Sequence, residues 1–140
     1  MYRLIYKSKS SSEIVHGTLK SILKSSYVVN SENDVTGALL ATKTHFLQVL
    51  EGEYKAVNET FHKIGWDPRH EKVELIHFGP AATRAFEGWS MRGFALFDMD
   101  PDLTRRLKLK YGDDEGEVKF PTEEWAVLSL MYDIRVIDGK

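Results

Sequence analysis

The feature that most restricts the fold of this chain is how its hydrophobic period changes along the sequence. Tyr2, Leu4, Tyr6 and Ser8 alternate with Arg3, Ile5 and Lys7, a period of 2 that predicts a strand over residues 2–8. Ser10 and Glu13 have the spacing of a capping box, and Val15, Leu19, Ile22, Leu23 and Ser26 keep helical spacing, so the pattern predicts a helix over 11–29. Asn30-Ser31-Glu32-Asn33-Asp34 then reads as a turn. Residues 35–42 read as a strand, 43–45 as a tight turn and 46–50 as the hairpin partner. Tyr54, Val57, Phe61 and Ile64 form the stripe of a second amphipathic helix, ended by Gly65 and Pro68. Strands over 73–78 and 89–97 follow, separated by a turn at Gly79-Pro80.

The order β-α-β-β-α-β-β predicts an α+β fold: a ferredoxin-like sheet with two helices on one face. Right-handed crossovers require that placement. The rest is a basic helix over 101–110, an acidic link over 111–116, and a last helix opening near Pro121 that carries Trp125, Leu128, Leu130, Met131 and Ile134. These two C-terminal helices are expected to cover the other face, because a sheet with helices on one side leaves its second side bare. The chain thus divides into residues 1–97 and a C-terminal helical extension, 98–140, packed on the same domain.

A length of 140 residues fits one domain of roughly 100–200 residues. A net charge of -2 argues against a broad electrostatic grip on nucleic acid. With no cysteine, disulfides, thiolate metal sites and cysteine nucleophiles are excluded. No apolar run approaches the ~18–20 residues of a membrane helix, and the first residues lack a signal-peptide pattern, so a cytoplasmic location and no membrane contact are expected.

Catalytic signatures are missing. There is no Gly-rich dinucleotide loop, phosphate loop or metalloprotease helix. Five histidines, at 16, 45, 62, 70 and 77, lack ligand spacing, and the carboxylates form no acid/base pair. Two strand residues stand out. Gln48 shares the face of Phe46 and Leu50, where an amide without partners costs roughly 1–3 kcal/mol. Tyr6 lies mid-strand, and the split topology sets its strand beside that of Gln48, so phenol and amide face each other. Composition and spacing alone favour a satisfied core pair; the other reading is that both point into a ligand pocket between the sheet and the two helices.

Five pieces of the sequence, in order, resemble the BLUF domains, blue-light sensors that use FAD. They are Arg3-Leu4-Ile5-Tyr6-x-Ser8; Asn30 with Val35-Thr36-Gly37; Phe46-Leu47-Gln48-Val49-Leu50-Glu51-Gly52; Asp67-Pro68-Arg69-His70; and Arg84-x-Phe86-x-x-Trp89-Ser90-Met91. The resemblance implies a non-covalent FAD between the two helices and a photoreceptor, not an enzyme. It makes Tyr6 the photochemical tyrosine, Gln48 the switching glutamine and Asn30 an anchor of the flavin ring. Ile22 and Phe46 match positions that pack on the ring. Ser8 and His70 fall in the matched segments, while Asp67, Arg69 and Lys63 match the ribityl-phosphate side. Trp89 and Met91, read as sharing a strand face, compete for the place near the flavin, and the sequence does not choose between them. No effector domain follows in this sequence, so the expected output is through the C-terminal region to an unidentified downstream signalling protein or a homo-oligomer. A flavin-dependent enzyme and a ligand-free interaction module are the competing readings.

Overall fold

The computed structural model describes the backbone of residues 1–138 and the side chains of residues 1–135. The last two residues of the predicted extension therefore lie outside the described part. Strands β1 (Tyr2–Ser10), β2 (Thr36–Ala41), β3 (His45–Gly52), β4 (His70–Pro80) and β5 (Arg92–Ala95) form one sheet in the order β4-β1-β3-β2-β5. All neighbours are antiparallel except β2 and β5, which run parallel. Helix α1 (His16–Glu32) packs on β2 and β5, and α2 (Tyr54–Trp66) packs on β1, β3 and β4. The strip of sheet between the two helices therefore belongs to β1 and β3. The ferredoxin-like α+β reading holds.

Each strand divides its side chains between two cores, as a period of 2 requires. Leu4, Tyr6, Leu39, Ala41, Phe46 and Leu50 face α1 and α2. Ile5, Ala38, Leu40, Leu47 and Val49 face the opposite way. There they meet α3 (Pro101–Tyr111) and α4 (Glu124–Asp138) through Leu103, Leu107, Val127, Leu130, Met131 and Ile134. Asp100 caps α3 by accepting from Asp102 N at 2.8 Å, with Pro101 in the first turn.

Several boundaries move from their predicted places. Helix α1 starts at His16, not near residue 11, because Ser10–Ile14 make other bonds: Ser10 N to Thr44 O (2.8 Å), Ser11 N to Arg69 O (3.2 Å) and Ile14 N to Lys43 O (2.8 Å). Ser10 consequently ends β1 opposite His70 and forms no capping box. At its other end α1 runs on to Glu32, so Asn30 belongs to its last turn and not to a loop. The acidic link folds back as a small hairpin of β6 (Asp113–Asp114) and β7 (Glu117–Val118), and α4 opens at Glu124, three residues past Pro121.

The predicted strand over 89–97 shortens to β5 and a 3-10 turn, Leu96–Asp98. Gly88 takes φ 84°, Trp89 N bonds Phe86 O at 3.1 Å, and Trp89 O accepts from Gly37 N at 3.0 Å. The chain is therefore turning through Trp89, and strand alternation does not apply there. Gly37 is required by this close packing: a Cβ would lie 1.9 Å from Val49 O.

Candidate functional site

Strand register brings the first pair of site residues together. Tyr6 lies directly opposite Gln48 in the β1–β3 ladder, and the two are 0% and 3% exposed. The Tyr6 hydroxyl donates to Gln48 Oε1. Gln48 Nε2 donates to Met91 Sδ at 3.2 Å. One residue earlier, Ser90 O accepts from Asn30 Nδ2 at 3.1 Å, and Asn30 is 2% exposed. Two buried amides, one from α1 and one from β3, thus converge on the Ser90-Met91 dipeptide that leads into β5.

Aromatic rings enclose the phenol. Phe61 of α2 and His70 of β4 lie 5.6 and 6.1 Å from the Tyr6 ring, and Phe46 lies 4.8 Å from His70. Ser8 Oγ is 2.7 Å from His70 Nδ1, which fixes the imidazole against β1. Ile22 is buried in the same core. Burial holds the Tyr6 phenol protonated far above its ordinary range, and the nearby Asp67 charge adds to this. Burial also pulls His70 below its ordinary pKa and outweighs the opposing pull of Asp67; Arg69 lowers it further. His70 is therefore neutral at pH 7.

The polar residues at the end of α2 are committed to each other. Arg69 Nε lies 3.0 Å from both Asp67 oxygens and its Nη2 lies 2.5 Å from Oδ2. The hydrogen bond from Arg69 is the main reason the Asp67 carboxyl sits below its usual range. Lys63 is exposed in the last turn of α2, with no ion pair among the described residues.

Trp89 and Met91 do not share a face. Met91 joins the core of Tyr6 and Phe46, whereas Trp89 packs with Phe86 and Phe94 on the opposite side. There the guanidinium groups of Arg92 and Arg135 each lie 4.9 Å from the Trp89 ring. The turn at Gly88 sends the two side chains to opposite faces of the sheet, with Met91 on the face of Gln48.

Two groups escaped the sequence reading. Phe61 was legible only as core, since a helical stripe does not show which ring meets the tyrosine. Glu51 is the larger omission. It is 0% exposed; its Oε2 accepts from Arg3 Nε (2.9 Å) and Ala85 N (2.8 Å), and its Oε1 from Phe86 N (2.9 Å). Arg3 continues to Glu124 Oε2 of α4 at 3.0 Å. A carboxylate on the apolar face that carries Leu47 and Val49 was the available signal. Among the described residues no helix is long and apolar enough to cross a membrane, and no cluster of three or more His, Cys, Asp or Glu is placed to hold a metal.

Comparison with known proteins gives the family. The family model described as BLUF, sensors of blue-light using FAD, matches residues 1–92. The photoactivated adenylate cyclase subunit beta of Euglena gracilis is 34% identical over 92 residues, which cover 64% of this chain and 11% of that protein. The blue light- and temperature-regulated antirepressor BluF of Escherichia coli (strain K12) is 34% identical over 93 residues, 60% of this chain and 23% of the relative. This chain therefore spans only a small part of either relative's length. The solved dark-state structure of BlrB, a BLUF protein, superposes with a TM-score of 0.71 at 30% identity, covering 93% of each chain. With the family model covering β1 to β4 and helices α1 and α2, the chain belongs to the BLUF family of blue-light sensors that use FAD.

Proposed function

We propose that this chain is a blue-light photoreceptor that binds FAD non-covalently and switches through Tyr6 and Gln48. The observation that carries the proposal is the chain of bonds from Tyr6 through Gln48 to Met91. Its two ends are unequal. At one end a phenol meets an amide carbonyl, a good acceptor, whereas at the other the acceptor is a thioether, a weak one.

The donor set fits a flavin. Among the described residues, Gln48 Nε2 gives one N–H to a sulfur and has a second to offer, and Asn30 Oδ1 receives no bond. A flavin ring edge alternates carbonyl, N–H and carbonyl, which two amides can match. Gln48 and Asn30 would hold that edge, with Ile22, Phe46 and Phe61 as apolar walls. Lys63 would supply charge for the phosphates as a point donor, without the fork of an arginine. Arg69, already neutralised by Asp67, would position the end of α2. When bound, the flavin absorbs blue light and accepts an electron from a nearby donor.

The rest of the mechanism belongs to the protein's own atoms. Tyr6 keeps its proton on Oη because burial opposes the phenolate, and it hands that proton toward Gln48 Oε1. Rotation of the Gln48 amide exchanges the end that faces the phenol, whereas tautomerisation turns the oxygen already there from acceptor into donor. In the rotated state the amide donates to Tyr6 Oη, and Met91 loses its bond. The amide is then a bistable element whose two states differ at Met91, the residue that begins β5. The output passes through the segment from Met91 into α3 and α4, and reaches a partner protein or a second copy. The function proposed is sensing, the role that the matching family description gives.

Purified protein reconstituted with FAD or FMN and illuminated with blue light tests this. The expected result is preferential retention of FAD, extracted intact, with a red shift that reverses in the dark. A protein that holds no flavin, or holds it without a light-driven shift, contradicts the proposal.

A further inference from the structure

The sequence holds three tryptophans, and two of them are engaged. Trp89 packs with Phe86 and Phe94, and Trp125 Nε1 donates to Glu123 Oε2 at 3.0 Å. Trp66, the last residue of α2, is 87% exposed, and among the described residues it makes no ring contact or hydrogen bond. Tryptophan is highly buried on average, so this one leaves a wide apolar face in water.

Helical geometry says where that face lies. Trp66 follows Val57 by nine residues, about two and a half turns, so it stands on the opposite side of α2 from Val57, which is fully buried against the sheet. By the same count Lys63 stands opposite Tyr54, whose ring stacks on Phe78 of β4 at 5.5 Å. The sheet runs β4-β1-β3-β2-β5, and α1 packs on β2 and β5, so the flank of α2 away from β4 is the one toward α1. Lys63 therefore borders the space between the two helices. Trp66 lies one turn further along α2 and farther from the sheet.

We infer that Trp66 stacks on the adenine of FAD and that this contact selects the dinucleotide over the mononucleotide. The inference rests on the reading above, in which Gln48 and Asn30 hold the flavin ring edge and Lys63 meets the phosphates. Gln48 and Asn30 are buried, so the rest of the cofactor leaves away from the sheet, past Lys63. Trp66 is the next large side chain on that route. Cβ atoms one turn apart are separated by roughly 5–6 Å, of the order of the ribose that joins an adenine to its phosphate. The chemistry of the three groups follows the cofactor in sequence: amides for the ring edge, an ammonium for the phosphates, an indole for the base. Stacking needs only two flat faces, which suits a side chain at an open helix end without polar partners. Burying both faces takes the indole out of water, which no residue of the chain does.

Equilibrium dialysis of the full chain against FAD and against FMN tests the inference. FMN carries the ring, the ribityl chain and a phosphate but no adenosine, so the ratio of the two affinities reads the adenosine end. Wild type should bind FAD about tenfold or more tightly than FMN, as expected for one base on an aromatic side chain. Trp66→Ala should abolish that preference and leave FMN affinity unchanged. Trp66→Phe, which keeps an aromatic face, should keep most of it. Lys63→Gln should weaken FAD and FMN alike and preserve the ratio. Equal affinities in wild type, a preference that survives Trp66→Ala, or a Trp66→Ala that weakens FMN as much as FAD overturns the inference. The photosensor reading fails separately, if the chain binds neither flavin or the loaded chain shows no light-driven shift.

Discussion

The two faces of the sheet handle buried polarity in opposite ways. Toward α1 and α2 the polar groups are neutral: a buried phenol, two buried amides and a half-buried imidazole, held by single bonds, one of them to sulfur. Toward α4 the buried group is an ion. Glu51 is fully enclosed and clamped by Arg3 and two backbone N–H groups, and Arg3 extends the clamp to Glu124. Arg84 secures the same corner through Thr36 Oγ1 (2.8 Å), Glu51 O (3.1 Å) and Asp34 O (2.9 Å). A neutral amide can exchange its donor and acceptor ends at small cost, whereas an enclosed charge cannot leave its partners without a large penalty. In the proposed function the first face is the one that rearranges and the second stays fixed. The turn from Phe86 to Met91 touches both, since Glu51 holds its first residue and Gln48 its last.

The comparison breaks most severely at the ionic face. Glu51→Ala strands Arg3 and frees two buried N–H groups, so it should cost about 3–5 kcal/mol in chemical denaturation. Glu51→Gln, which keeps the acceptor, should cost clearly less. If Glu51→Ala were neutral, the fixed face would owe nothing to the charge.

Changes on the switching face should be smaller in stability and larger in function. Tyr6→Phe removes the donor to Gln48 Oε1 and leaves a buried acceptor, a loss of about 1–3 kcal/mol by denaturation. Its light-driven red shift should vanish while flavin is retained. Met91→Leu keeps the volume but removes the sulfur acceptor. It should cost less than about 1.5 kcal/mol and alter the rate of dark recovery, measured by absorbance.

The smallest effect is a pH dependence from His70. Its folded pKa lies below the ordinary value of 6.5, so the unfolded chain takes up the proton first. Stability should be full above pH 6.5 and fall as pH drops below it. His70→Gln should flatten that slope in unfolding curves measured between pH 7 and pH 5.

Much of this was legible in the sequence because it depends on period. Alternation in residues 2–8 and 46–50 set Tyr6 and Gln48 on one face, and the order of elements set their strands side by side. The places where the reading failed are those governed by tertiary bonds. Ser10 obeyed a ladder with His70 and not its local capping pattern. Trp89 and Met91 parted because a glycine at φ 84° turned the backbone where alternation had been assumed. Glu51 was passed over because a carboxylate in a strand is usually solvated, and only the fold brings Arg3 and the Ala85-Phe86 amides to it.

The most direct test of the central claim, that one neutral amide is the movable part, is the light-minus-dark absorption spectrum of flavin-loaded wild type beside Gln48→Leu. Leucine fills the same space without either amide end. The account predicts a red shift that decays in the dark for wild type, and a flavin spectrum of equal occupancy with no shift for the variant. A variant that retains the shift would contradict it.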